Sequence, residues 1–249
     1  MTLLDNAVYV GGRRTADPQS LDETYELLRE RKGLAWIGLY RPDEAEVRSV
    51  AAEFGLHDLP VEDAISAHQR PKMQRYGETL FVVLLPARYL DDVEEVEFGE
   101  LHIFVGPNFV ITIRQAEAPD LARVRRRLEE SPELLCLGPE AVLYAILDQL
   151  VDEYAPVVAG LENDIDEIED ELFDGVPAVS RRIYELSREV IEFGPRIHCG
   201  RSWWGWSRGS TSTGWTWSCS TDWVMCPTTS SVWWNRAIHS ASCCRTRSR

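Results

Sequence analysis

Two runs of apolar residues at helical spacing constrain this chain more than any other feature. Leu150, Tyr154, Val157, Leu161, Ile165, Ile168 and Leu172 recur at steps of four and three. That spacing lines one side of a helix, over about 35 Å at the helical rise. Gly138-Pro-Glu140 supplies a helix start, with Pro early and an acid in the first turn. Pro156 lies inside the run and predicts a bend. Gly175-Val-Pro177 breaks it, and Val179, Ile183, Leu186, Val190 and Phe193 then repeat the seam. Two amphipathic rods joined by a short break are expected to fold back as an antiparallel hairpin.

The preceding residues follow a different grammar. Ala7-Val-Tyr-Val10, Leu34–Tyr40, Thr79–Leu85, Glu100–Val105 and Phe109–Arg114 read as strands. Leu21–Lys32, Glu44–Phe54, Pro60–Ala67 and Pro119–Glu130 read as helices. Gly106-Pro-Asn108 has the composition of a hairpin turn. The expected fold class is therefore α+β: a mixed α/β domain over 1–135 with antiparallel pairs, an acidic helical hairpin over 136–193, and an irregular tail over 194–249.

Charge narrows the function. The chain carries a formal −15, which argues against a nucleic-acid binder. It suits a protein that handles cations, though many soluble proteins are as acidic. Met1-Thr-Leu-Leu runs at once into Asp5 and Asn6, unlike a secretory signal. The longest apolar stretch, Leu80-Phe-Val-Val-Leu-Leu85, is closed by Pro86 and has the length of a buried strand, not of a bilayer span. Cys136 alone precedes residue 195, which reads as a reduced, intracellular body. No Gly-x-Ser-x-Gly, phosphate loop, His-Glu-x-x-His or Cys-x-x-Cys is present, so no catalytic set can be named. The expectation is that this is not an enzyme.

Candidate ligands are acidic. If Ile165 and Ile168 face the partner helix, most of Glu162, Asp164, Asp166, Glu167, Glu169, Asp170 and Glu171 point to solvent. Asp164, Asp166 and Glu169 then lie on a diffuse carboxylate face. That face is either plain solvated surface or a concentrator of hard, water-retaining cations such as Mg²⁺. His57 and His68 read as surface or core histidines before they read as ligands. Glu62 and Asp63 suit a short helix, and Arg70-Pro-Lys72 an extended exit from it.

Three stretches together resemble the CorA family of magnesium/cobalt transport proteins. They are Leu56-His-Asp-Leu-Pro-Val-Glu-Asp-Ala-Ile-Ser-Ala-His-Gln-Arg-Pro-Lys72, Leu143-Tyr-Ala-Ile-Leu-Asp-Gln-Leu-Val-Asp-Glu-Tyr154 and Leu161-Glu-Asn-Asp-Ile-Asp-Glu-Ile-Glu-Asp-Glu-Leu172. Their joint occurrence in this order is specific, and each alone is weak. The resemblance implies a homopentamer of identical subunits, with a funnel of cytoplasmic domains over a pore in the inner membrane. It implies Mg²⁺ as transported and regulatory ion, Co²⁺ as a second cargo, and no nucleic acid. Regulatory Mg²⁺ in the family binds between subunits near the loop that here holds Asp91 and Asp92, so these two residues are carried over as candidate ligands. The alternatives are a stand-alone soluble divalent-metal-binding domain and a related zinc transporter of the same superfamily.

The family continues into a stalk helix and two membrane helices, the first ending in Gly-Met-Asn. Nothing after Phe193 matches. From Pro195 the chain has seven Arg, one acid (Asp222), no Leu and eight of the nine Trp. Cys199, Cys219, Cys226, Cys243 and Cys244 lie here, at spacings of no standard zinc site. The tail is read as out of frame and without fixed structure. Shifting the frame across Asp222-Trp-Val-Met-Cys-Pro yields Leu, Gly, one of Asp/Asn/His/Tyr, Val, then Pro or Ser. Trp233-Trp-Asn235 yields Val-Glu, and both fit the family's stalk. This chain is thus expected to lack the pore.

Overall fold

The computed structural model describes residues 3–31, 33–174, 179–203, 206–211 and 214–219. They form two compact units, one built from Met1–Pro86 and Phe98–Leu150, the other from Ala87–Glu97 and the described residues that follow Leu150.

The first unit is organised by a seven-stranded sheet of order β2-β1-β3-β9-β8-β5-β4. Strands β1 (Leu3–Val10) and β2 (Arg13–Ala16) are joined at Gly11 and Gly12, both with positive φ. At Gly12 an added Cβ would lie 2.0 Å from the Pro132 carbonyl oxygen, so close approach as well as backbone angle requires glycine. Strands β3 (Leu34–Tyr40) and β9 (Phe109–Arg114) pair in parallel. Strand β9 pairs antiparallel with β8 (Leu101–Val105), β8 with β5 (Thr79–Leu84), and β5 with β4 (Lys72–Tyr76). The sheet is therefore mixed.

Helices α1 (Leu21–Arg31), α2 (Glu44–Phe54) and α3 (Asp58–Ser66) cover one sheet face. Their Leu21, Leu28, Val47, Val50, Val61 and Ala64 share a core with Val8, Ala35, Ile37, Phe81, Phe104 and Ile111. Full burial of a side chain such as Phe104 contributes about 1.5–3 kcal/mol. Helix α2 begins where the sequence places it, because Asp43 and Glu46 form a reciprocal capping box. The opposite sheet face takes α4 (Leu121–Glu129), whose Arg125 guanidinium lies 4.2 Å above the Trp36 ring. Every residue of β8 is buried, as a strand covered on both faces requires. The short α5 (Pro132–Leu135) leads into α6 (Pro139–Phe173). The first turns of α6, with buried Val142, Ala145 and Ile146, belong to this unit.

The second unit holds the rest of α6, helix α7 (Val179–Trp203) and the hairpin of β6 (Ala87–Leu90) and β7 (Glu95–Phe98) as far as Glu97. Contacts of Arg182 with Glu171 and of Tyr154 with Phe193 make α6 and α7 antiparallel, as expected.

Three expectations differ from this architecture. The division foreseen at residue 135 falls at Leu150 instead, since the start of α6 packs in the sheet domain. Helix α7 continues past Phe193 to Trp203, and Trp206–Thr211 (β10) pairs antiparallel with Gly214–Cys219 (β11). The remainder of the predicted irregular tail lies outside the described residues. The helical seam is also rotated. Leu150, Tyr154, Val157, Leu161 and Ile168 are buried, but Ile165 is 43% exposed and Asp164 only 6%. The inner positions step by four and three without interruption, so Asp164 falls in line where Ile165 was expected.

Candidate functional site

The β6–β7 hairpin was absent from the sequence reading, and it carries the residues of interest. Its turn is Asp91-Asp-Val-Glu94, closed by the Val93 N–H on the Leu90 carbonyl at 3.2 Å. Glu94 takes a positive φ of 53° to make the turn. Asp91 and Asp92 are exposed at its tip. Both supply hard oxygen donors of the kind Mg²⁺ accepts, with water completing its shell. They are only two donors. Among the described residues no three or more His, Cys, Asp or Glu side chains come together as a metal site.

Three attachments hold this hairpin on the helices of its own unit. The first is Tyr89. Its hydroxyl donates to Asp164 Oδ1 at 2.7 Å, and its ring lies against Gly160 of α6. Burial, then the hydrogen bond to Asp164, pushes the Tyr89 phenol above its ordinary pKa. The second is Arg182 of α7, which binds Glu94 at 2.8 Å, Glu167 at 3.1 Å and Glu171 at 2.5 Å. Its guanidinium is held above its ordinary pKa, first by the hydrogen bond to Glu167. Three carboxylates share one guanidinium, so local charge remains negative.

The third is Glu189 of α7, which lies against β7. Burial raises its carboxyl pKa, and the charges of Asp164 and Glu95 raise it further, against a hydrogen bond from the Val96 N–H. Its Oε2 is buried and has no hydrogen-bond partner.

Asp164, read as solvent-facing, is thus a correction: it is a buried acceptor for Tyr89. Asp166 and Glu169 are exposed, as expected, and do not converge with Asp91 and Asp92. His57 caps α3, its Nδ1 accepting from the Leu59 N–H at 3.2 Å. Asp63 binds Lys72 at 2.6 Å, a structural pair. Sequence reasoning missed Tyr89, Glu94 and Arg182. The available signal was Gly160, a small residue in mid-helix that invites close approach of another group.

Among the described residues no helix is long and apolar enough to cross a membrane. Comparison with known proteins adds three similarities. The chain is 38% identical over 135 residues to YfjQ of Bacillus subtilis, covering 54% of this chain and 41% of that protein. It is 27% identical over 169 residues to the cobalt/magnesium transport protein CorA of Thermotoga maritima, covering 66% and 48%. It therefore spans less than half the length of either relative. The soluble domain of CorA from Methanocaldococcus jannaschii shares the fold, with a TM-score of 0.62 at 18% identity, covering 81% of this chain and 78% of that one. Residues 31–202, running from the sheet domain through both long helices, match the model of the CorA-like Mg²⁺ transporter protein family, and the chain belongs to that family.

Proposed function

We propose that this chain is the cytoplasmic, Mg²⁺-sensing portion of a homopentameric divalent-cation channel of the inner membrane, with Mg²⁺ as its main cargo and Co²⁺ as a second. The observation that carries the reading is a family match that includes the exposed Asp91–Asp92 turn and both helices beneath it. Two carboxylates do not complete a Mg²⁺ shell, so further donors come from water or from a neighbouring copy. Bound Mg²⁺ screens carboxylate repulsion between copies and favours the closed arrangement. Its loss restores repulsion and loosens the ring. Such a shift requires tighter Mg²⁺ binding by the closed form. No covalent chemistry is involved.

The test is sedimentation of the full chain, with limited proteolysis, at rising Mg²⁺, Co²⁺ and Zn²⁺. Mg²⁺ and Co²⁺ are expected to promote assembly and protect the β6–β7 turn, and Asp91→Asn with Asp92→Asn to abolish both effects. A response to Zn²⁺ alone points to the zinc-transporting branch. No response to any divalent ion rejects the reading.

The family match runs past Phe193 to residue 202, so it is the tail beyond that point that is proposed to be out of frame. The gene sequence from codon 190 onward, read in three frames, decides this. A stalk-like reading ending in Gly-Met-Asn in a neighbouring frame is expected, and its absence from every frame overturns the proposal.

A further inference from the structure

The β6–β7 hairpin is short, and an isolated two-stranded hairpin is marginal in water. Its anchorage is therefore decisive for where its turn sits. Tyr89 is a two-point anchor. A Cβ on Gly160 would lie 2.5 Å from Tyr89 Cγ, so the ring occupies the space a larger residue would fill. The hydroxyl reaches Asp164, which is 6% exposed. A carboxylate buried there has an unsatisfied oxygen unless the phenol donates to it. Across the turn, Arg182 holds Glu94 but is shared with Glu167 and Glu171. Only Leu90 separates Tyr89 from Asp91.

We infer that Tyr89 is a latch: seated on Gly160 and bonded to Asp164, it fixes the β6–β7 hairpin on α6 and so sets where the Asp91–Asp92 turn is presented. The positioning role rests on the cation-sensing reading above; the latch itself does not. It makes Tyr89, Gly160 and Asp164 one positioning unit, and divalent sensitivity adjustable from a residue that need not touch the ion.

Hydrogen exchange of the full chain in EDTA tests the latch directly. Tyr89→Phe keeps the ring and removes only the donor, and amides of 87–97 are expected to exchange about tenfold faster, as loss of one charge-assisted bond implies. Gly160→Val unseats the ring and is expected to do more. Unchanged exchange in Tyr89→Phe overturns the inference, even if Gly160→Val fails to fold. Titration with Mg²⁺ then separates the two claims. A midpoint several-fold higher in Tyr89→Phe, at unchanged full protection of the turn, supports positioning. Faster exchange with an unmoved midpoint overturns it. Faster exchange in a chain that shows no Mg²⁺ response upholds the latch and removes the sensing reading.

Discussion

The backbone N–H of His68 donates to Glu100 Oε2 at 2.7 Å, pinning a residue whose φ is +58°. The next amide, of Gln69, donates to the other oxygen at 2.8 Å. One carboxylate at the edge of β8 thus holds the Ala67–Arg70 segment in a conformation that side chains disfavour. Burial pushes Glu100 upward, but His102 and the two amides outweigh this and hold it below the ordinary carboxylate range. A depressed pKa gives stability that is present above the unfolded value and lost as pH falls through the folded one. Glu100→Gln is therefore expected to lower the urea midpoint at pH 7 and to weaken its fall under acid. A variant whose pH profile parallels the wild type contradicts this account.

Glu189 behaves with the opposite sign. Its raised pKa means that its stabilising, protonated form is retained at low pH and lost as pH rises through the folded value. Glu189→Gln is expected to raise the thermal midpoint at pH 8 and to have little effect near pH 4. Equal midpoint changes at both values show that its charge is not what matters.

Arg125 of α4 ties together two neighbouring strands, β1 and β3. Its Nε binds Asp5 at 2.9 Å, and its terminal nitrogens donate to the Tyr9 hydroxyl and the Trp36 carbonyl, each at 3.2 Å. Arg125→Met keeps volume but strands these partners. Asp5 retains Arg14, so the expected cost is at the low end for a broken buried pair, about 3 kcal/mol. Arg125→Lys is expected to recover only part, because it lacks the planar fork and the stacking on Trp36. Urea denaturation of the three proteins measures both numbers.

The rotated seam predicts an asymmetry between neighbours in sequence. Ile168→Ala removes buried methyl groups and is expected to cost about 2–5 kcal/mol. Ile165→Ala is expected to stay within about 0.5 kcal/mol, as an exposed substitution. Reversal of that order in exchange measurements on α6 returns the seam to its predicted register.

The same seam shows what the sequence could and could not reveal. The strands Leu34–Tyr40 and Phe109–Arg114 were legible residue for residue, because their apolar runs end at clear turns. Strand β4 was not: Lys72-Met-Gln-Arg-Tyr76 is an edge strand, paired only with β5, and edge positions tolerate charge. The four-residue strands β6 and β7 offer too few positions for a period to register. In α6 the apolar Ile165 drew the seam away from Asp164, since a buried aspartate is plausible only beside its donor. That donor, Tyr89, lies 75 residues away in sequence. In α7 the same happened with Arg182 and Glu189, which sit inward of exposed Ile183 and Val190. The exposed Asp91–Asp92 turn was legible as an acidic loop, but not the anchors beneath it.

The charged positions within the seam of α6 and α7 have a mechanical consequence. At the turn end of the hairpin the first turn of α7 is joined to the last turns of α6 by Arg182 with Glu167 and Glu171, while the join farther along is apolar, as where Tyr154 meets Phe193. Coulombic joints fade in brine and apolar ones do not. Concentrated salt should therefore slacken the turn end of this rod before its apolar stretch, making ionic strength a lever on one end of the helical hairpin.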